Sequence, residues 1–363
     1  MTQKDIAEKL GISVSTVSRV LNNIPKACSP ALKEEIWKLA LESGYQFNES
    51  ARALKSNAKL PASSAENLQI NFISFWEKST EDNKNRFYDN VLFGIEKEVL
   101  NNGYRLNCIN YADYSKISDI FKETSSIRDP FIILGWVPQE MKKHLNLRYS
   151  PHVQIALNTN CEKIDNVLCN GYAAAENAAE YLHWCGHRYI LYIGKKNNEI
   201  RYYGFFNKLE NLHLPTNTLS CITTDLTVAG GYRAVEIFLN LRKRSRFHQR
   251  VSAIFCANDN IAIGAYKRFK EENIRIPEDI SIISVDDIQE SSYLVPRLTT
   301  MSIPQVEMGS IAVQIIKIRL NKTLRLPVKV QLPVKMELRD SVKDLNNHSP
   351  RETQKYLHQN LIV

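Results

Sequence analysis

The sequence predicts a small all-α head followed by a two-lobed α/β core in which helices flank parallel sheets. Three observations carry this. Residues 1–47 keep a helical rhythm broken only by short turns. The β-rich runs LQINFISFW, FIILGW, RYILYIG, VSAIFCA and SIISV alternate with helical stretches from residue 68 onward. Between the two regions lies a short helical stretch and a polar linker.

Length and composition bound the reading. A chain of 363 residues and 41.7 kDa exceeds one ordinary domain, taken as ~150 residues. Apolar residues at 44% and charged residues at 24% exclude a mostly disordered or collagen-like chain. No run approaches the ~18 apolar residues of a membrane span, and MTQKDIAEKL does not read as a signal peptide. The expectation is a cytoplasmic protein with no membrane partner. Seven scattered cysteines without a CxxC pair read as reduced thiols rather than a disulfide framework or zinc cluster. A net charge of +8 permits a polyanionic partner without requiring one.

In the head, Thr2-Gln-Lys-Asp5 matches a helix-start pattern, and Ile6, Ala7 and Leu10 form an apolar stripe. Gly11-Ile12-Ser13 breaks the helix. The next helix, from Val14 to Asn22, turns Val17, Val20 and Leu21 to one face and Val14, Ser15, Ser18, Arg19 and Asn22 to the other. Ser29-Pro30 opens a third helix, which Gly44 ends; its Ile36, Leu39 and Ala40 close a small core, with Trp37 on the margin. This is a helix-turn-helix unit. Residues 1–60 hold nine Lys/Arg and six Asp/Glu, a net of only +3, so charge alone also allows a protein-interaction module.

The run from Asp5 to Asn22, with TVSRVLN as its core, resembles the head of LacI/GalR-type bacterial transcription regulators, and the similarity extends to about Arg339. The resemblance implies that Val14, Ser15 and Arg19 face base edges, while Thr2, Ser13, Thr16, Ser18 and Asn22 contact the DNA backbone. Valine and serine offer little bidentate hydrogen bonding, which shifts direct readout toward Arg19. It also implies a hinge helix within residues 48–67 that folds on DNA and pushes Leu54 into the minor groove, with Ala51 on its packing face and Arg52 and Lys55 near phosphates. Such a segment, about two turns long, is marginal as a helix by itself. A linker whose Leu54 packs on the core is the plainer alternative.

For residues 68–340 the resemblance implies a periplasmic-binding-protein-like core. Its N-lobe takes about 68–170 and 304–323, its C-lobe about 171–303 and 324–340, and residues 341–363 form a mobile tail. Three stretches resemble the family's effector pocket: EIRYYG with Arg201 at a helix start, ANDNIAIG with Asn258 after a strand, and SVDD with Asp286 at a strand end. Guanidinium, carboxamide and carboxylate together suit vicinal hydroxyls of a sugar. Trp136, Trp76 and Tyr202 are candidates to stack on its face. Read locally, Asn258 and Asp286 are strand-end caps, Arg201 makes a surface ion pair, and the aromatics are core. The stretches SVDDIQESSYLVPRLTTMSI and SFWEKSTEDNKNRFYDNVLFGIE look closest to the galactose and evolved-β-galactosidase repressor branch, which implies a galactoside effector in preference to a purine or nucleoside.

Other signals point away from chemistry. His183 and His187 sit at i and i+4, but Gly186 ends the helix before a metal face forms. Arg242 to Arg250 reads as a solvated basic face. No GxxxxGK[ST], GxSxG, HExxH or GxGxxG is present, and adjacent Asp286 and Asp287 point opposite ways in an extended segment. The expectation is therefore no enzyme, no metal and no cofactor. It is instead a homodimeric, operator-binding repressor of a carbohydrate-utilisation operon, released by a small sugar. The tail lacks the heptads that would settle a tetramer. The competing class is a soluble sugar receptor or sugar-processing protein whose first helices mediate protein contacts.

Overall fold

A computed structural model describes residues 2–21, 28–29, 32–33, 35–36, 39–40, 68–75, 86–109, 117–123, 129–146, 151–156, 163–321 and 326–360. The expectations for Asn22, Ala51, Arg52, Leu54, Lys55 and Trp76 lie outside these residues.

In the head, α1 (Gln3–Lys9) and α2 (Val14–Leu21) are joined by a turn in which Gly11 adopts φ +63°, a left-handed conformation that costs glycine little. Ile6, Ala7, Val17, Val20, Ile36 and Ala40 bury one apolar cluster, so the two helices and the third segment share a core. Ser29 accepts from the Leu32 amide at 3.4 Å and thus caps that third segment.

The core is two parallel-sheet lobes. The N-lobe chain runs β1 (Gln69–Ser74), α3 (Arg86–Asn101), β2 (Arg105–Ile109), α4 (Ile117–Glu123), β3 (Phe131–Leu134), α5 (Gln139–Asn146), β4 (His152–Ala156) and β5 (Asp165–Cys169). The C-lobe follows with α6 (Gly171–Trp184), β6 (Ile190–Gly194), α7 (Ile200–Asn211), β7 (Cys221–Thr223), α8 (Val228–Arg242), α9 (Arg246–Arg250), β8 (Ala253–Cys256), α10 (Asp259–Glu271), β9 (Ser281–Asp286) and β10 (Thr299–Ser302). The chain then returns through α11 (Gln305–Leu320) and β11 (Lys329–Leu332), and crosses again into β12 (Lys335–Glu337). Sheet orders are β11-β5-β4-β3-β1-β2 and β12-β10-β9-β8-β6-β7, parallel except for β12 against β10. Helices cover both faces of these sheets, which is why FIIL, ILYIG and AIFC are apolar without alternation.

Two expectations need correction. Residues 324–340 do not all belong to the C-lobe: β11 pairs with β5 in the first sheet, and the crossing falls at Pro333-Val334. An ion pair holds this edge. Arg319 donates to both carboxylate oxygens of Asp165 at 2.8 and 2.6 Å, and Asp165 also accepts from the Val328 amide at 2.8 Å. Nor is the segment after 340 loose. Ser341 is fully buried; its hydroxyl donates to the Ile282 carbonyl at 2.6 Å and accepts from the Thr299 amide at 2.8 Å. Further on, α12 (Pro350–Asn360) brings Tyr356 to stack on Trp184 at 4.5 Å, and His348 stacks on the same ring at 3.7 Å. Polar composition hid these contacts because the anchors are single aromatic and hydroxyl side chains. No helix among the described residues is long and apolar enough to cross a membrane.

Candidate functional site

The head presents a capped, outward-facing helix. Thr2 and Asp5 form a reciprocal cap: the Thr2 amide donates to Asp5 at 2.7 Å, and the Asp5 amide donates to the Thr2 hydroxyl at 3.3 Å. Hydrogen bonds from Thr2 hold the Asp5 carboxyl below its ordinary range. The Thr16 amide donates to Ser13 Oγ at 3.0 Å, which starts α2. The Ser13 hydroxyl also hydrogen-bonds those of Ser15 and Thr16 at 2.7 and 2.8 Å. With Val17 and Val20 committed to the core, Val14, Ser15 and Arg19 are exposed, and Thr16 and Ser18 are half-buried. Val14, 44% exposed, leaves part of its aliphatic side chain on the outer face of α2 beside Ser15.

The second constellation lies where the chain first passes between lobes. Arg201 sits in the first turn of α7, yet only 2% of it is exposed. Glu199, the residue that caps this helix, explains the burial. Its Oε1 accepts from Arg201 Nε at 2.7 Å and its Oε2 from Nη2 at 2.9 Å, a forked pair. Arg201 Nη1 stands 3.7 Å from Asp286 Oδ1, beyond hydrogen-bond length. Gly171, the first residue of α6, makes room for this packing, since a Cβ there would lie 3.0 Å from Ile200 and 3.5 Å from Arg201.

Asp286 and Asp287 close β9 with φ of +120° and +55°, a strained pair that sends the two carboxylates to different partners. Asp286 faces Arg201, while Asp287 accepts from Arg339 Nη2 at 2.6 Å. Beneath them Asp259 is fully buried, accepting from the Ser284 hydroxyl, the Thr300 hydroxyl at 2.7 Å and the Ile288 amide at 2.9 Å. Burial pushes Asp286 up to about 8 and Asp259 up to about 7. Although burial works the other way, Arg201 holds Glu199 below its ordinary range, and the acids around Arg201 raise the guanidinium further.

Asn258 does what its local alternative foresaw. Its Oδ1 accepts from the Ile261 amide at 3.0 Å and caps α10, while its Nδ2 donates to the Leu226 carbonyl ahead of α8 at 3.2 Å, so both ends of the amide are engaged. Tyr202 needs a correction as a stacking platform. It packs edge-on against Tyr192 at 5.4 Å and against Phe206 at 4.5 Å, with Lys196 5.8 Å from its ring. Adjacent helical positions diverge, so an inward Arg201 turns Tyr202 into the aromatic cluster. Trp136, at the carboxyl end of β3, is 58% exposed with Lys142 at 6.0 Å.

Two sequence-family profiles match the chain. The profile for bacterial regulatory proteins of the lacI family covers residues 2–48, and that for a periplasmic binding protein-like domain covers residues 179–342. Together they describe a lacI-type helix-turn-helix head joined to a two-lobed periplasmic-binding-protein-like core. The "Probable HTH-type transcriptional repressor ExuR" of Bacillus subtilis is 26% identical over 351 residues, covering 95% of this chain and 99% of its own. PurR, an HTH-type transcriptional repressor of Vibrio parahaemolyticus, is 26% identical over 354 residues with the same coverage, 95% and 99%. A crystal structure of a LacI-family regulator from Enterococcus faecium with bound ribose superposes with a TM-score of 0.65 at 24% identity. It covers 76% of this chain and 99% of that one.

Within the periplasmic-binding-protein-like core, sequence reasoning missed Glu199 and Asp259. Both lie inside the stretches singled out, Glu199 as the cap before α7 and Asp259 as the first residue of α10. The missed signal is capping: a helix-start acid two residues before an arginine can grip that arginine's fork.

Proposed function

We propose that this protein is a DNA-binding transcriptional repressor of a carbohydrate-utilisation operon, working in the cytoplasm as a homodimer and released from its operator by a small sugar. The carrying observation is the Arg201–Asp286 pair, held 3.7 Å apart at the first crossing between lobes. A hydroxyl oxygen placed there can accept from the guanidinium and donate to the carboxylate, so occupancy acts on the joint between the two lobes. The bound ribose of the Enterococcus relative supports a sugar as ligand class. The galactoside rests on the sequence resemblance alone.

In this reading Val14, Ser15 and Arg19 read bases, and Thr2, Ser13, Thr16, Ser18 and Asn22 fix the head on the backbone. Ala51, Arg52, Leu54 and Lys55 form the hinge contact. Arg201 and Asp286 hold the sugar, with Asn258 shaping the rim and Trp136 or Trp76 closing on its face. One helix-turn-helix covers a half-site, so two heads ~34 Å apart read a near-palindrome. Moving the population from 1:99 to 99:1 needs ~5.5 kcal/mol of differential affinity, a demand that charged hydrogen bonds in two protomers can meet.

A gel shift on the protein's own upstream region, repeated at several salt concentrations with galactose, lactose, raffinose, glucose and ribose, tests this. Salt-dependent binding reversed by one sugar is expected. Absence of duplex affinity would sink the repressor reading, and binding that no sugar reverses would sink the effector.

A further inference from the structure

We infer that Glu199 selects the charge class of the effector: by occupying the forked edge of Arg201 it leaves the pocket open to a neutral polyol and closed to a sugar acid. This rests on the pocket reading above and deepens it.

Two features of this corner ordinarily attract a carboxylate. One is the forked edge of a buried arginine, whose parallel N–H groups match two carboxylate oxygens. The other is a helix start, where free amides and the helix dipole favour negative charge. Glu199 satisfies both. Its two oxygens take Arg201 Nε and Nη2, and Oε1 also accepts from the Arg201 amide at 3.2 Å. The protein therefore carries its own carboxylate where a sugar acid would place one.

What Glu199 leaves free points the same way. Among the described residues, Arg201 Nη1 has only Asp286 before it, at 3.7 Å. That gap suits one hydroxyl at about 2.8 Å from each atom, as both acceptor and donor. An incoming carboxylate can accept from Nη1, but once Asp286 is ionised it can give nothing to that residue, and it brings a third negative charge beside Glu199 and Asp286 to a single guanidinium. Like charges in a buried site are strongly disfavoured.

Calorimetry on the full chain at about pH 9, where Asp286 carries its charge, decides this with two matched pairs, galactose with galacturonate and glucose with glucuronate. For the wild type we expect the neutral member to bind at least ~100-fold tighter than its acid. Glu199→Gln, which keeps size and removes charge, should narrow that ratio by ~10-fold or more. An unchanged ratio in the variant overturns the proposal. So does a wild type that binds acid and neutral sugar within tenfold of each other, a comparison that stands even if the variant does not fold. Arg201→Met separates this from the pocket reading. Retained neutral-sugar affinity in that variant sinks the pocket, as does a wild type that binds neither member of either pair. Lost affinity together with an unchanged Glu199→Gln ratio sinks the charge filter alone.

Discussion

Asn90 of α3 donates its side-chain amide to Gln305 Oε1 at 2.7 Å, tying the N-lobe to the segment that carries the chain out of the C-lobe. The same Gln305 donates through Nε2 to the Asp286 carbonyl at 2.8 Å, so one buried carboxamide links both lobes to a proposed ligand residue. A groove of about 610 Å³ opens beside it, bounded by the second and third crossings.

Gln305→Leu removes both hydrogen bonds at similar volume. We expect a loss of about 1–2 kcal/mol in urea denaturation, and a several-fold rise in the sugar Kd as the Asp286 backbone loses its anchor. No change in either measurement would show the bridge to be idle.

The buried Glu199–Arg201 pair should behave as a unit. Arg201→Ala alone strands a carboxylate and should cost about 3–5 kcal/mol. The double substitution Glu199→Gln with Arg201→Met should cost less than the sum of its parts by about 1–3 kcal/mol. A double-mutant cycle by denaturation measures this; strict additivity would contradict the geometry.

Arg19 projects from the head without supporting its core, so Arg19→Ala should leave the thermal transition in place. It should weaken cognate duplex by about 1–3 kcal/mol while changing scrambled duplex far less. Equal losses on both duplexes would make Arg19 a phosphate contact.

His187 predicts an acid limb of stability. It is buried, hydrogen-bonded to Ser252 at 2.8 Å and to the Lys343 carbonyl at 3.1 Å, and burial lowers it to about 4. In the unfolded chain the ring titrates near ~6.5, so between these values the unfolded state binds more protons. Its contribution is intact above about 6.5 and is lost as pH falls toward 4, by at most about 3 kcal/mol. Asp259 and Asp286, both pushed up, act in the opposite sense, so His187→Gln must be compared with wild type at each pH. The variant should flatten the acid limb; parallel curves would refute this.

Local signals made much of the protein legible. The Thr2 cap, the break at Gly11-Ile12-Ser13, the buried Val17 and Val20, and the alternation of apolar strands with helices are written within a few residues of one another, and the structure places them so. The placement of β11 was not legible. It depends on Asp165 and Arg319, 154 residues apart, competing with a C-lobe that the neighbouring β12 joins. Polar residues after 340 concealed an anchored segment because Trp184 and Tyr356, far apart in the chain, supply its contacts.

Periodicity, caps and the TVSRVLN run thus determined a helix-turn-helix head and a two-lobed parallel core, because each depends on hydrogen bonds and faces within one element. Tertiary structure alone decided that Asp286 comes to face Arg201, that Tyr202 turns into the cluster around Tyr192, and that β11 joins the first sheet. Those outcomes follow from which side chains meet once separate elements close on one another, and no local pattern encodes that meeting.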